Sequence, residues 1–362
     1  MINIEKTSFN VGRDLDNYSW IIVFYSFIVS LLIIYFLFVN KSLDGTLEIQ
    51  LYSDTITYEN YANQHTELEL TELINVNYNY FGPVIIFKIL GKNRLNVVFF
   101  NILILIYFFY SLNKILCLNK IKLLLLLCFN PIIFFSFLSL NKEILSFLFI
   151  IFFLKYISQK KMLYFILSII FSLFVRWQLS CFFITYAILT SFLNPSYKNI
   201  INSIIVLIFF ISIIFPILSS SIFKSVVNVV LESKGTYEGS GLFITSNELQ
   251  TKGLYFLIMV PKLFHLLFGL LVKINPKYIY DDFWNNVIVT GQSIPFLYIF
   301  ITIFLKILNK KINLFNALFF ASIIYFIIFT TTPIYAPRYF VPVYILLSIV
   351  LSSRYQYIFR KD

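Results

Sequence analysis

The chain has 362 residues, of which 59% are hydrophobic and only 12% are charged. A soluble domain carries about 25% charged residues on its surface, so this composition excludes an ordinary soluble protein and indicates an integral membrane protein. The net charge of +11 does not indicate nucleic-acid binding, because no basic motif stands out and basic residues of membrane proteins concentrate in cytoplasmic loops. Two histidines and three cysteines predict no metal site, and nothing in the sequence predicts a cofactor.

Apolar runs near the roughly 20 residues needed to cross a bilayer recur along the whole chain. Ten spans are predicted, at 20–38, 95–113, 123–140, 143–157, 162–175, 179–193, 200–218, 288–305, 313–330 and 339–353. Two more apolar stretches do not fit as spans, since Phe81–Leu90 is short and Gly253–Val272 is interrupted by Pro261-Lys262. We expect both to be re-entrant or interfacial helices on the outer side. The predicted fold is an all-α polytopic membrane protein with one domain, 1–362.

Lysine and arginine cluster at every second junction between the predicted spans, which predicts the orientation of the chain. If these junctions and both termini are cytoplasmic, basic residues on that side exceed acidic ones by eleven, which is the entire net charge. The outer side is then neutral and contains two larger loops, 39–94 and 219–287. The glycine-rich stretch 233–241 in the second loop is typical either of a linker or of a lid over a substrate site.

Arg176 lies in a tight turn, Arg176-Trp177-Gln178, between two short predicted spans. Spans of 14 or 15 residues are about 21 Å long, whereas the hydrocarbon core is about 30 Å thick, so Arg176 is expected below the outer surface. A charge at that depth normally has a partner or a function. The alternative is an arginine whose side chain reaches up to lipid headgroups.

Two further turns on the predicted outer side also carry cations. Lys142 and Glu143 lie in one of them, and Arg338 opens the last span after Pro337, which favours a structured turn. Three cations from three turns could bind an anion, and the planar fork of arginine suits phosphate. The alternatives are a solvated loop for Lys142-Glu143 and an interfacial anchor for Arg338.

Carboxylates in the two outer loops are candidates for a general base or for sugar binding. Asp54 could take a proton from an attacking sugar hydroxyl, or it could cap a turn. Asp281 and Asp282, followed by Trp284, could bind sugar through hydroxyl contacts and an indole face. Capping the next span is an equal alternative, and adjacent carboxylates can also hold a divalent ion.

Taken together, these features resemble the O-antigen polymerases (Wzy-type) and related capsular polysaccharide polymerases, over nearly the whole chain. The resemblance is carried by Ser53-Asp54…Tyr58, Asn141-Lys142-Glu143, Arg176 between two short spans, and Pro337-Arg338-Tyr339-Phe340…Pro342. It implies a GT-C-like bundle in the bacterial inner membrane. There it would polymerise undecaprenyl-pyrophosphate-linked oligosaccharide repeats into O-antigen or capsular polysaccharide on the periplasmic face. It also implies membrane lipid and a polysaccharide chain-length regulator as partners.

The resemblance also implies roles for individual residues. Arg176 and Arg338 would bind the pyrophosphate with help from Lys142, and either Asp54 or Glu143 would be the base. The other expected substrate contacts are Tyr58, Trp177, Gln178 and Tyr339. They add to the second-loop residues Asp281, Asp282 and Trp284.

Two other enzymes and one other class of protein remain as alternatives. The enzymes are a lipid-carrier-dependent transferase that adds one sugar and an O-antigen ligase. The other class is a flippase or transporter for lipid-linked oligosaccharide. Transporters often carry repeated halves and charges that are reachable from both faces, and the sequence has neither pattern, which favours an enzyme.

Overall fold

A computed structural model describes residues 2–6, 15–45, 53–64, 70–192, 197–220, 241–268, 283–312, 316–332, 337–353 and 355–359. These residues are helical almost throughout, and two short terminal strands, β1 (Ile2–Lys6) and β2 (Tyr355–Phe359), pair with each other. The chain divides into two compact units. The N-terminal unit contains Lys6–Phe183 and Leu351–Tyr355, and the C-terminal unit contains Ile184–Val350 with Met1–Glu5 and Gln356–Asp362.

Short connections separate the helices of the N-terminal unit. The helices are α1 (Leu15–Ile34), α2 (Ser53–Gln64), α3 (Leu70–Ile89), α4 (Arg94–Ile115), α5 (Lys120–Phe129), α6 (Pro131–Ser136), α7 (Leu145–Gln159), α8 (Met162–Val175) and the first part of α9 (Trp177–Phe192). A π-helical turn, Tyr35–Val39, and a last turn, Asn40–Leu43, extend α1, and a 3₁₀ turn, Lys142–Ile144, precedes α7.

Asparagine side chains begin several of these helices, because their oxygens accept hydrogen bonds from otherwise unsatisfied backbone N–H groups. Asn93 accepts from the N–H groups of Leu95 and Asn96 at the start of α4. Asn130 caps α6 in the same way, with Pro131 as its first residue. The predicted span 123–140 is therefore wrong as one continuous helix, because this cap and proline divide it and Leu138–Leu140 follow outside any helix.

Aromatic rings pack α7 against α8. The connection between these helices turns at Lys160, whose left-handed φ of 54° ends α7 and returns the chain along it. The ring of Phe152 then stacks on that of Phe171 at 5.3 Å, and Tyr156 meets Phe165 at 5.5 Å. These ring pairs join α7 and α8 along the length of the hairpin.

The C-terminal unit is also helical in its described residues. Its helices are the rest of α9, α10 (Tyr197–Ser220), α11 (Gly241–Thr251), α12 (Tyr255–Phe268), α13 (Phe283–Leu308), α14 (Ala317–Phe329) and α15 (Val341–Ser352), with a 3₁₀ turn Pro337–Phe340 before α15. Tyr255 on α12 donates a hydrogen bond to the carbonyl of Ile327 on α14. The ring of Phe296 on α13 packs on Tyr344 of α15 at 5.0 Å.

Three helices among the described residues are long and apolar enough to cross a membrane, namely Ser19–Leu43, Arg94–Ile115 and Gly291–Leu308. Other apolar helices are shorter, including Met162–Val175 and Ala317–Phe329. Large apolar side chains on α1, α10 and α13 are exposed, as on helices that face lipid. The helical class is confirmed, while the count of ten spans stays a prediction.

Both stretches predicted as interfacial helices are helical, but their bounds differ from the prediction. All of Phe81–Leu90 except its last residue belongs to a 20-residue helix, α3, which begins eleven residues earlier and contains Pro83. Most of Gly253–Val272 forms α12, which continues through Pro261. The segments 221–240 and 269–282 of the second predicted loop lie outside the described residues, and so does its glycine-rich stretch except Gly241, which begins α11.

Candidate functional site

Arg176, Glu143 and Lys142 form a buried charged cluster in the N-terminal unit. Arg176 Nη2 donates a hydrogen bond to Glu143 Oε1, and the two side chains are only 2% and 0% exposed. Lys142 is 5% exposed and interacts electrostatically with both. Two cations and one carboxylate leave the cluster with one excess positive charge when all three are ionised. Arg176 and Lys142, two of the three cations that the sequence analysis groups, both belong to this cluster, and their binding of an anion stays a prediction.

Local backbone structure directs these side chains inward. Asn141 is extended, and its side chain accepts from the N–H of Glu143, which starts the 3₁₀ turn before α7. Arg176 is also extended and separates α8 from α9, while a hydrogen bond of 2.6 Å between the hydroxyls of Ser172 and Ser180 joins the two helices across this break. The Lys142-Glu143 pair and Arg176 thus both lie at interruptions between helices.

Burial changes the protonation equilibrium of Lys142. Removal from water lowers the pKa of its ammonium, the Arg176 charge lowers it further, and the Glu143 charge opposes both effects. Two acceptors, Glu143 Oε2 and Gln178 Oε1, are buried and make no hydrogen bond within the described residues. Such acceptors can take an O–H donor from water or substrate.

Helices α2 and α3 cover this part of the unit. Thr55 at the start of α2 donates a hydrogen bond of 3.0 Å to the carbonyl of Leu140, two residues before Lys142. Gly82 on α3 faces the last turn of α8, where a Cβ atom would lie 2.5 Å from the carbonyl oxygen of Phe174. Only glycine permits this approach, two residues before Arg176.

The predicted residues of the first loop lie on α2 with different exposure. Asp54 is half-buried in the first turn, beside Thr55. Tyr58 is 1% exposed and packs in an apolar cluster that includes Phe87 and Leu140. Its position gives it a packing role, and contact with substrate stays a prediction. Trp177, the first residue of α9, is 38% exposed, and its contact with substrate also stays a prediction.

Sequence reasoning missed an ion network that begins one helical turn after Thr55. Arg94 donates from Nε and Nη2 to the two carboxylate oxygens of Glu59, each at 2.8 Å, and from Nη1 to Asp44. The signal was present, since Arg94 follows a Gly-Lys-Asn turn at the start of a span. The sequence alone does not distinguish such an arginine from an interfacial anchor.

The remaining predicted residues belong to the C-terminal unit. Arg338 and Tyr339 lie in the 3₁₀ turn before α15, and the carbonyl of Tyr339 accepts from the hydroxyl of Tyr325. Trp284 lies in the first turn of α13, whereas Asp281 and Asp282 lie outside the described residues. The three-cation grouping of Arg338 with Arg176 and Lys142 stays a prediction.

A buried lysine of the C-terminal unit was not predicted as functional. Lys262 on α12 is 1% exposed, and its ammonium donates to Asn247 Oδ1 at 2.8 Å and Gln250 Oε1 at 2.5 Å. The amide of Gln250 in turn donates to the carbonyl of Thr331. The sequence showed Lys262 only as a polar interruption, because its amide partners lie in a different segment.

No protein-family model, curated protein or solved structure matches this chain.

Proposed function

We propose that the protein is a glycosyltransferase that polymerises undecaprenyl-pyrophosphate-linked oligosaccharide repeats. The observation that carries this proposal is the buried Lys142–Glu143–Arg176 cluster, with two cations for one carboxylate. Buried charges are expensive, and an anion bound here would favour the protonated form of Lys142, so two basic groups beside one carboxylate suit an anionic ligand. A pyrophosphate leaving group has this charge, and arginine can bind it through two parallel hydrogen bonds.

The reaction forms one glycosidic bond and breaks one sugar–pyrophosphate bond. A hydroxyl of the acceptor sugar attacks C1 of the donor, a carboxylate takes the hydroxyl proton, and pyrophosphate leaves with the electron pair of the broken bond. Arg176 and Lys142 neutralise the departing charge, with Arg338 as the third cation of the proposal. Asp54 is the better base, since it is half-buried, whereas Glu143 is fully buried on Arg176.

Access to the cluster requires movement, because all three of its side chains are nearly inaccessible. Helices α2 and α3 are the cover that has to open, in the manner of an enzyme lid. The proposal places ten spans in the bacterial inner membrane, both termini in the cytoplasm and the reaction on the periplasmic face. The apolar helices and the lysine-rich junctions support it.

The direct test supplies purified protein with undecaprenyl-pyrophosphate-linked repeats, without nucleotide sugar and with a chelator present. A ladder of longer lipid-linked oligosaccharides is expected, because the donor bond already contains the energy. Arg338→Ala should remove the ladder at unchanged membrane levels. Arg176→Ala should remove it too, and it is compared at matched protein amounts because it leaves the buried Glu143 carboxylate without Arg176. Arg176→Lys should restore it only in part, since lysine keeps the charge but loses the fork.

Other outcomes would reject the polymerase. Addition of one sugar from a polyprenyl-monophosphate donor would support the single-sugar transferase, and movement of repeats across a bilayer without a ladder would support the transporter. A full ladder from both alanine variants would show that the arginines do not bind the leaving group.

A further inference from the structure

A cavity of about 530 Å³ opens beside the Arg94 network in the N-terminal unit. It is formed where the end of α1, α2, the end of α3 and the start of α4 meet. Its polar lining includes Asn40, Glu59, Asn63, Lys92 and Arg94, and Tyr35 and two phenylalanines supply aromatic surface. The volume lies in the range of small-ligand sites, about 300–1,000 Å³.

The guanidinium of Arg94 is already engaged by neighbouring groups of the protein. Hydrogen bonds to Glu59, Asp44 and the carbonyl of Leu43 involve four of the five N–H groups of Arg94. The guanidinium therefore has little capacity left for a phosphate. The Glu59 carboxylate oxygens each accept one bond from Arg94 and can each accept another, which suits a ligand that donates O–H groups.

Two unusual backbone conformations shape the wall of the cavity. The π-helical turn Tyr35–Val39 interrupts α1 where Tyr35 enters the lining, and such turns occur frequently at functional sites. Lys92 has a φ of 57°, a left-handed conformation that is uncommon for a residue other than glycine. Asn96 fixes this turn through a hydrogen bond to the carbonyl of Leu90.

We infer that this cavity is a binding site for neutral carbohydrate, formed by amide and carboxylate groups with aromatic surface. Resting on the proposed function, it holds the acceptor sugars. Helix α2 connects the two places, because Thr55 contacts Leu140 beside the charged cluster and Glu59, one turn later, lines the cavity. A glycan bound here lies beside α2, the helix whose first turn contains Asp54.

The test blocks the cavity without altering the Arg94 network. Asn63 lines the cavity and is exposed, whereas its exposed neighbour Gln64 does not line it. Asn63→Trp and Gln64→Trp therefore form a matched pair. The probes are the oligosaccharide released by mild acid from the lipid-linked repeats of the producing cells, and inorganic pyrophosphate.

Calorimetry on the full-length protein should show oligosaccharide binding that Asn63→Trp weakens at least about ten-fold, equivalent to about 1.4 kcal/mol. Gln64→Trp should leave it unchanged, and pyrophosphate should not compete. Oligosaccharide binding that is insensitive to Asn63→Trp, or that pyrophosphate displaces, would overturn the site.

The two proposals fail separately. A ladder that Asn63→Trp leaves intact, together with unaffected oligosaccharide binding, rejects the cavity and keeps the polymerase. If the wild-type protein binds the oligosaccharide but makes no ladder, and Asn63→Trp abolishes the binding, the carbohydrate site is kept and the polymerase is rejected.

Discussion

At the scale of single residues, the Arg176–Glu143 pair can be interpreted as a structural contact or as part of a functional site. Buried ion pairs are weak evidence of stabilisation, since apolar replacements of both partners are often neutral or stabilising. Removal of one partner is different, because it leaves an uncompensated buried charge. The sequence predicted both residues at tight turns, but their contact across 33 positions could not be predicted, since periodicity does not tell which turns meet.

The single and double variants of this pair should differ in thermal stability and agree in their loss of activity. Glu143→Met should destabilise the protein by about 3–5 kcal/mol, whereas the double variant Glu143→Met/Arg176→Met should be destabilised less, because only Lys142 then lacks its carboxylate neighbour. Both should make no polymer. Thermal unfolding in detergent and polymer gels measure the two properties. A stable double variant with normal polymer would reduce the pair to a structural contact.

At the scale of elements, helix bounds were predicted well where a long apolar run ends abruptly at charged residues. Residues 162–175 were predicted as a span and form α8 with those bounds. The covering helices were predicted less well, because α3 begins among polar residues and its apolar part starts only near Phe81. Hydrophobicity marks lipid-facing or buried segments, and an amphipathic or polar helix that covers a site lacks that mark.

Gly82 tests whether close contact between α3 and α8 controls the site. Gly82→Ala places a methyl group 2.5 Å from the Phe174 carbonyl, so α3 has to shift, at a cost of about 1–3 kcal/mol. Protease sensitivity of α2 and α3 should rise, and polymer yield should fall.

Gly45→Ala is a suitable control, since a Cβ atom there meets open space and only its left-handed backbone opposes the change, by about 1–2 kcal/mol. It should not alter protease sensitivity at α3. Unchanged cleavage in Gly82→Ala would show that α3 does not depend on this contact.

At the scale of the whole molecule, the division of charge along the sequence predicts an orientation that three long apolar helices alone do not define. The lysine-rich connection between α7 and α8, Gln159–Lys161, should face the cytoplasm, and the glycine-rich stretch 233–241 should face outward. Arg94, Lys142 and Arg176 then lie at the outward ends of their helices. The proposed reaction needs this orientation, because its polymer is made outside.

Cysteine labelling in sealed cells measures this orientation directly. The three native cysteines are replaced first, because Cys117 and Cys181 are exposed and would react themselves. A membrane-impermeant maleimide should then label a cysteine at Gly239 and miss one at Ser158, and permeabilised cells should show labelling at both. Labelling of Ser158 in sealed cells would invert the predicted topology. The charged cluster would then open to the cytoplasm, where periplasmic lipid-linked repeats cannot reach it, so the polymerase proposal would fall with the topology.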